Sequence, residues 1–99
     1  MDIAYKIKYL RKNLLNINQE KFAKKINVTR TTINSWEQGL TKPSLSHIIT
    51  IALTCNVTTD YLINKDEPLS LAVRNLSEDE YQLLLQLVTY FNQQLKNDR

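Results

Sequence analysis

The chain has 99 residues, of which 42% are hydrophobic and 23% charged, a composition that fits one small globular domain with or without an appended element and argues against disorder over the whole length. Its single cysteine excludes an intrachain disulfide. A net charge of +3 favours an anionic partner.

The charge is unevenly distributed along the chain. Ten basic and five acidic side chains give residues 1–66 a net charge of +5, whereas three basic and five acidic side chains give residues 67–99 a net charge of −2. This asymmetry predicts two parts with different roles. Because no apolar run approaches the roughly 20 residues that span a bilayer, and because the N-terminus lacks a signal-peptide layout, we expect a cytoplasmic protein with no membrane partner.

The scarcity of helix breakers predicts an all-α fold. Glycine occurs once and proline twice, and no segment alternates apolar and polar residues over a strand-like length. The first helix is predicted over residues 3–14, where Ile3, Ile7, Leu10 and Leu14 form one apolar stripe. Its lysines, Lys6 and Lys8, are interpreted as an ordinary solvated face.

Two short helices follow in close succession. The second is predicted over residues 18–26 with Asn18 as its N-cap, and the third over residues 30–38 with Thr29 as its N-cap. Asn27 stands between them at the position where a helix end favours a left-handed residue. The spacing therefore predicts two helices joined by a tight turn.

The same turn chemistry recurs later in the chain. A fourth helix is predicted over residues 45–55 with Ser44 as its N-cap, and a short fifth helix over residues 59–63. Between them, residues 56–58 repeat the Asn-Val-Thr sequence of residues 27–29, which predicts a turn at Asn56 and an N-cap at Thr58. Residues 1–66 are therefore predicted to form one domain of five helices.

The remainder of the chain is predicted to be a linker and a long helix. Residues 67–76 contain a proline and mixed side chains, and are interpreted as a linker with a helical turn at residues 69–74. A Ser-x-x-Glu capping box opens a final helix within residues 77–99. Its apolar side chains follow the 3-4 spacing of a coiled-coil seam, at Tyr81, Leu84, Val88, Phe91 and Leu95.

This last helix has more apolar surface than one core-facing stripe requires. We therefore predict that its seam is a dimerisation element in a homodimer. Three alternatives stay open from the sequence: the fifth-helix region takes part in pairing or replaces the last helix in it, the last helix folds back on its own domain, or it binds a second protein.

Residues 17–43 carry the functional prediction. A tight turn between two short helices, the second exposed on one side, is the geometry that places a recognition helix in the major groove of DNA. Ile33 and Trp36 are predicted to face inward. The opposite side presents only side chains that can hydrogen-bond to bases, and no acidic one: Arg30, Thr31, Asn34, Ser35 and Gln38.

On these residues the chain resembles the repressor/Cro-type, or XRE-type, helix-turn-helix family over residues 3–63. The resemblance is carried by the first helix, by the glutamine and packing pair of the second, by the turn and recognition helix, and by the segments that follow: Ile7, Leu10, Arg11, Gln19, Phe22, Ala23, residues 28–33, residues 36–39, residues 43–45 and residues 57–63. It implies a five-helix, lambda-repressor-like DNA-binding domain, here followed by a C-terminal helix.

The resemblance also implies roles for individual residues. Base edges would be read by Arg30, Thr31, Asn34 and Ser35, with a phosphate-only contact open for Arg30 and plain solvent exposure open for Asn34. Backbone phosphates would be contacted by Asn18, Gln19, Thr29, Thr41 and Lys42. Arg11 would form a structural ion pair with Glu37, unless Lys12 takes that place, because the loop before Gln19 is one residue longer than is usual in the family.

An enzyme is excluded by the residues that are missing. The only histidine, His47, and the only cysteine, Cys55, lie about 12 Å apart along one predicted helix, too far for a nucleophile–base pair. No phosphate-binding glycine loop or cluster of metal ligands is present, so neither a cofactor nor a metal is predicted.

The sequence predicts a homodimeric transcription regulator, more readily a repressor than an activator, on a pseudo-palindromic site in double-stranded DNA. The alternative is an antitoxin or adaptor whose last helix binds a partner protein.

Overall fold

The computed structural model describes the backbone of residues 2–97 and the side chains of residues 2–94. It is all-α, as predicted, and its helices are α1 (Ile3–Tyr9), α2 (Gln19–Ile26), α3 (Arg30–Glu37), α4 (Leu45–Cys55), α5 (Thr59–Ile63) and α6 (Glu78–Asn97), with a π-helical continuation of α1 over Leu10–Leu15. In the part of the chain that is described, no helix is both long enough and apolar enough to cross a membrane.

Side-chain caps begin each of the first five helices. In each case an Asp, Asn, Ser or Thr oxygen accepts a hydrogen bond from the backbone N–H three residues later, which satisfies a donor that the helix leaves unpaired. The four predicted caps, Asn18, Thr29, Ser44 and Thr58, are confirmed. They explain why the observed starts of α2 to α5 agree with the predicted starts.

Asparagines in the left-handed conformation end three of the helical segments. Asn16, Asn27 and Asn56 have φ angles of 54°, 60° and 56°. Asparagine tolerates this conformation better than other residues with a Cβ atom. The predicted turns at Asn27 and Asn56 are confirmed.

The end of the first helix differs from the prediction. From Leu10 the chain forms a π-helix instead of continuing the α-helix, and this wider turn shifts the apolar face by one residue. Leu14, predicted to be buried, is therefore 44% exposed, while Leu15 packs against the core. The π-helical turn accommodates the extra residue that precedes Gln19.

One hydrophobic core lies among the helices of residues 3–63. The α2 helix contributes Phe22, Ala23 and Ile26, and α3 contributes Ile33 and Trp36, all of them buried. The other buried members come from α1, α4, α5 and the turn before α5: Ile7, Leu10, Ile51, Ala52, Cys55, Val57, Tyr61 and Leu62. Burial on this core holds α2 and α3 in a constant relative orientation.

The interpretation of Lys6 as part of a solvated face is wrong. Lys6 is 1% exposed, and its Nζ atom donates hydrogen bonds to the backbone carbonyls of Tyr61, Asn64 and Glu67. The ammonium group also lies 4.5 Å from the ring centroid of Tyr61. Its three donors satisfy carbonyls at and beyond the end of α5, an environment in which a buried ammonium is stable. Lys8 is exposed, as predicted.

The linker contains no helical turn at residues 69–74, contrary to the prediction. The chain there is extended and forms an antiparallel bridge between Val57 and Leu71. The backbone N–H of Thr58 donates to Ser70 O, and that of Ala72 donates to Asn56 O, both at 2.9 Å. These bonds are favoured over a local helical turn because they pair backbone groups of two segments at once.

The α6 helix projects away from the core. Ser77 and Glu80 form the predicted capping box, with reciprocal backbone–side chain bonds of 2.9 and 3.2 Å. Among the described side chains of α6 only Leu84 is half-buried, and the rest are exposed. The helix therefore does not fold back on its own domain. The radius of gyration is accordingly 15.5 Å, against about 13 Å for a compact chain of this length.

Candidate nucleic-acid interface

The α2 and α3 helices form a helix-turn-helix unit. After Asn27 reverses the chain, the N–H of Val28 donates to Ala23 O at 3.0 Å, and Thr29 caps α3. Ile33 and Trp36 are 0% and 3% exposed on the inner side of α3. The opposite side of α3 is thereby directed toward solvent.

An ion pair joins the first helix to the recognition helix. Arg11 Nε lies 2.6 Å from Glu37 Oε2, and Arg11 Nη2 lies 2.9 Å from Glu37 Oε1. The two side chains are 10% and 3% exposed. The hydrogen bond to Glu37 raises the pKa of the Arg11 guanidinium. The predicted ion pair is therefore present, with Arg11 and not Lys12 as its cation, and it neutralises the single carboxylate of α3.

Gln19 connects this ion pair to the exposed side of α3. Its Nε2 atom donates to Glu37 Oε1 and to Asn34 Oδ1, each at 3.2 Å. Asn34 Oδ1 also accepts from Gln38 Nε2 at 3.2 Å. Asn34 is thus part of a hydrogen-bonded network and not an isolated solvent-exposed side chain.

The four residues predicted to read bases lie on one side of α3. Arg30 and Thr31 are exposed, and Asn34 and Ser35 are half-buried. Arg30, Thr31 and Asn34 together line a shallow depression. Ser35 is one turn further along and shares a hydroxyl–hydroxyl bond of 2.8 Å with Thr41.

The residues predicted to contact phosphates surround this surface. Asn18 and Thr29 are the exposed caps of α2 and α3, and Gln19 is half-buried at the first position of α2. Asn18 and Gln19 line a second depression together with Arg30. Thr41 and Lys42 are exposed in the loop between α3 and α4.

Two of the contacts near this surface that sequence reasoning did not identify differ in how far a local pattern could have shown them. The first is the bond between Asn34 and Gln38, which the i, i+4 spacing on one helix could have suggested. The second is the packing of His47 against Trp36, with ring centroids 5.2 Å apart. No local pattern signals this second contact, because the two rings belong to different helices.

The residues considered for catalysis have other roles. Cys55 is a buried core side chain, and burial raises the pKa of its thiol to about 11. His47 Nδ1 lies 3.0 Å from Ser44 Oγ at the start of α4. In the described residues, histidine, cysteine and acidic side chains form no group of three that could hold a metal ion.

The predicted dimerisation residues lie on the projecting helix. Tyr81, Val88 and Phe91 are exposed and Leu84 is half-buried. Tyr81, Leu84 and Val88 line a shallow apolar depression with Leu85. Leu95 lies outside the residues whose side chains are described.

Comparison with known proteins agrees with this architecture. Residues 7–62 match the family model HTH_3, described as helix-turn-helix. The chain is 33% identical, over 72 residues, to the HTH-type transcriptional activator BcrR of Enterococcus faecalis. That match covers 73% of this chain and 35% of BcrR, so the chain spans about a third of the length of this curated relative.

Solved structures are similar as well. The P22 c2 repressor, in complex with synthetic operator 9T, matches 67% of this chain and 98% of its own at 26% identity, with a TM-score of 0.61. The SinR protein/SinI protein complex (19% identity, TM-score 0.62) and a transcriptional regulator from Listeria innocua (20%, 0.60) each match 97% of this chain, and 93% and 91% of their own. At these lower identities the last two show the fold alone.

The family model covers more than half of the chain, and it spans the ion pair, the helix-turn-helix and the polar side of α3. Family and neighbours also agree with the prediction of a non-enzymatic protein. The chain belongs to the repressor/Cro-type (XRE-type) helix-turn-helix family of DNA-binding transcription regulators.

Proposed function

We propose that this chain binds a specific site in double-stranded DNA and regulates transcription from it as a homodimer. The observation that carries the proposal is the recognition helix itself. Its inner side is buried, its single carboxylate is paired with Arg11, and its outer side presents only neutral or cationic hydrogen-bonding groups. Such a surface fits the negative potential and the base edges of a major groove.

Specificity is assigned to Arg30, Thr31, Asn34 and Ser35. The exposed Arg30 guanidinium has the geometry to donate two hydrogen bonds to guanine, the commonest specific contact in the major groove. Thr31 and Asn34 border the same depression, so the three side chains can reach adjacent base pairs. Ser35 extends this surface by one helical turn.

We assign contacts with backbone phosphates to the residues around the recognition helix: Asn18, Gln19, Thr29, Thr41 and Lys42. Phosphate contacts of this kind set the register of the protein without reading sequence. Thr41 is tied to Ser35 through their hydroxyl groups. This bond joins one proposed base-reading position to one proposed phosphate-contacting position.

The exposed area of the chain supports the homodimer. The accessible surface is 7309 Å², whereas a monomeric globular protein of 11.6 kDa exposes about 5,800 Å². A standard interface buries about 800 Å² on each partner, which is less than this excess. We assign the α6 seam to the interface, so that residues 1–66 form the DNA-binding domain, residues 67–76 connect it and residues 77–99 dimerise.

A homodimer of this kind presents two recognition helices related by a two-fold axis. They fit successive major grooves about 34 Å apart, so the operator is pseudo-palindromic. A dimer bound over a promoter excludes polymerase without needing a contact to it. We therefore assign repression as the consequence of binding.

The test is selection of binding sites from a randomised double-stranded library by the purified chain. We expect an inverted repeat and binding that weakens steeply with salt. Arg30→Ala should relax the preference at one position in each half-site and cost about 1–3 kcal/mol, whereas Lys42→Ala should weaken all sites alike. An unchanged preference with Arg30→Ala would remove this residue from the readers, and a sequence-selective loss with Lys42→Ala would overturn its phosphate role.

A second candidate function rests on the face of α6 next to the seam. Leu83, Leu87 and Tyr90 are 64%, 52% and 55% exposed and form an apolar stripe beside the seam. A partner protein bound there would make the chain an antitoxin or an adaptor. Specific DNA binding by the chain alone favours the regulator, and a requirement for a co-purifying protein favours the second function.

A further inference from the structure

We propose that Asn34 meets its base as a hydrogen-bond donor only, and that it therefore selects guanine over adenine. This inference rests on the proposed function, in which Asn34 faces the major groove. An asparagine with both amide atoms free ordinarily selects adenine, since it donates to N7 and accepts from the N6 amino group. The network around Asn34 removes the second of these bonds.

The orientation of the network is set by Glu37. This carboxylate is paired with Arg11 and is 3% exposed, and an ionised carboxylate can only accept hydrogen bonds. The Gln19 amide must therefore turn its Nε2 atom toward Glu37 Oε1, 3.2 Å away. The direction of the amide is thus determined by charge.

The same Nε2 atom has a second N–H, which is directed at Asn34. It lies 3.2 Å from Asn34 Oδ1, so Asn34 must turn its oxygen toward Gln19. Gln38 Nε2 donates to the same oxygen from one helical turn further on, also at 3.2 Å. A carbonyl oxygen has two lone pairs, and both are occupied.

The other end of the Asn34 amide is available. In the described part of the structure Nδ2 has no hydrogen-bond partner, and Asn34 borders the depression that it shares with Arg30 and Thr31. The group that Asn34 presents to a groove is therefore an amino group with two N–H donors.

The bases differ in how they meet such a group. Guanine presents two acceptors, N7 and O6, and thymine presents O4. Adenine places its N6 amino group beside N7, and cytosine presents its N4 amino group, so each brings a donor against a donor. We therefore expect guanine first and thymine second at the position that Asn34 contacts.

The experiment is site selection with three purified chains of residues 1–99: wild type, Asn34→Ala and Asn34→Asp. The position at which Asn34→Ala loses its preference identifies the base that Asn34 contacts. In the wild type we expect guanine there, favoured over adenine by at least about fivefold. The isosteric aspartate keeps one oxygen for Gln19 and Gln38 and presents the other as an acceptor, so its preference should move to cytosine.

A second pair of variants tests the network itself. Gln38→Ala releases one lone pair of Asn34 Oδ1, so the preference for guanine over adenine should fall at the position that depends on Asn34. Gln82→Ala, the same change on the exposed face of α6, should leave the preference unaltered. A purely structural role for Asn34 would lower affinity for all sites without moving any base preference.

The outcomes separate this inference from the function on which it rests. No enriched site for the wild type overturns the proposed function, and this inference with it. An enriched site with adenine at the Asn34 position, or no position that depends on Asn34, overturns this inference alone. Guanine at that position with a move to cytosine for Asn34→Asp supports both.

Discussion

Lys6 connects three parts of the chain through one ammonium group. It extends from α1 and donates to carbonyls of α5 and of the segment that follows it. These contacts join α1 to the end of α5 and to the segment that leads toward α6. A single buried side chain thereby contributes to the placement of the proposed dimerisation element.

Lys6→Met should lower the free energy of unfolding by about 1–3 kcal/mol, because the apolar stem is kept while carbonyls at the end of α5 lose their donors. Lys8→Met is the matched control on the exposed face of the same helix, and should change stability by less than about 0.5 kcal/mol. Urea unfolding followed by circular dichroism measures both. Equal effects of the two substitutions would contradict the assigned role of Lys6.

At the scale of the helices, the capping box of α6 makes a pH-dependent contribution. The bond from the Ser77 backbone N–H to the Glu80 carboxylate, together with the Ser77 side chain, lowers the pKa of Glu80. A carboxylate whose pKa is lower in the folded chain than in the unfolded chain stabilises the fold when the pH is above its ordinary pKa, near 4.3. This contribution disappears as the pH falls through the lowered pKa.

We therefore expect the first turn of α6 to fray as the solution is acidified below about pH 4. The amide signals of residues 77–81 in an NMR titration measure this change. Glu80→Gln should remove the part of the pH dependence that comes from the capping box, since a neutral amide does not titrate in this range. Glu78→Gln, which leaves the Ser77–Glu80 pair intact, should retain it, and an identical titration for all three chains would contradict the assignment.

At the scale of the whole molecule, the exposed apolar side chains of the projecting α6 helix predict that two chains associate. The seam residue Val88 is 47% exposed, and a charge there would be buried without a partner in a dimer. Val88→Asp should therefore shift the mass in sedimentation equilibrium from about 23 kDa to the 11.6 kDa of one chain. The same change should weaken binding to an inverted repeat far more than binding to one half-site.

Gln86→Asp is the control, since it adds the same charge to the same helix on the side away from the seam. It should leave the dimer and its affinity for DNA unchanged. If the wild type sediments as one chain, or if both substitutions act alike, the seam is not the interface.

The sequence predictions were accurate where the interactions involved join residues close together in the chain. The starts of α2 to α5 and the reversals at Asn27 and Asn56 could be predicted because a cap or a left-handed asparagine acts on backbone groups within four residues. The face of α3 that carries Arg30, Thr31 and Asn34 could be predicted for the same reason, since helical periodicity is local.

The Arg11–Glu37 ion pair was implied by the family resemblance, but other interactions between distant segments could be recognised only in the tertiary structure. The burial of Lys6 depends on carbonyls more than 50 residues away, and the extended linker depends on pairing with residues 56–58. The packing of Leu15 in place of Leu14 depends on the π-helical turn over Leu10–Leu15. The orientation of the Asn34 side-chain amide likewise depends on the hydrogen bond from Gln19, which lies on another helix. Local hydrogen bonding therefore defined the helices and the candidate surface, whereas packing between helices decided which groups that surface presents.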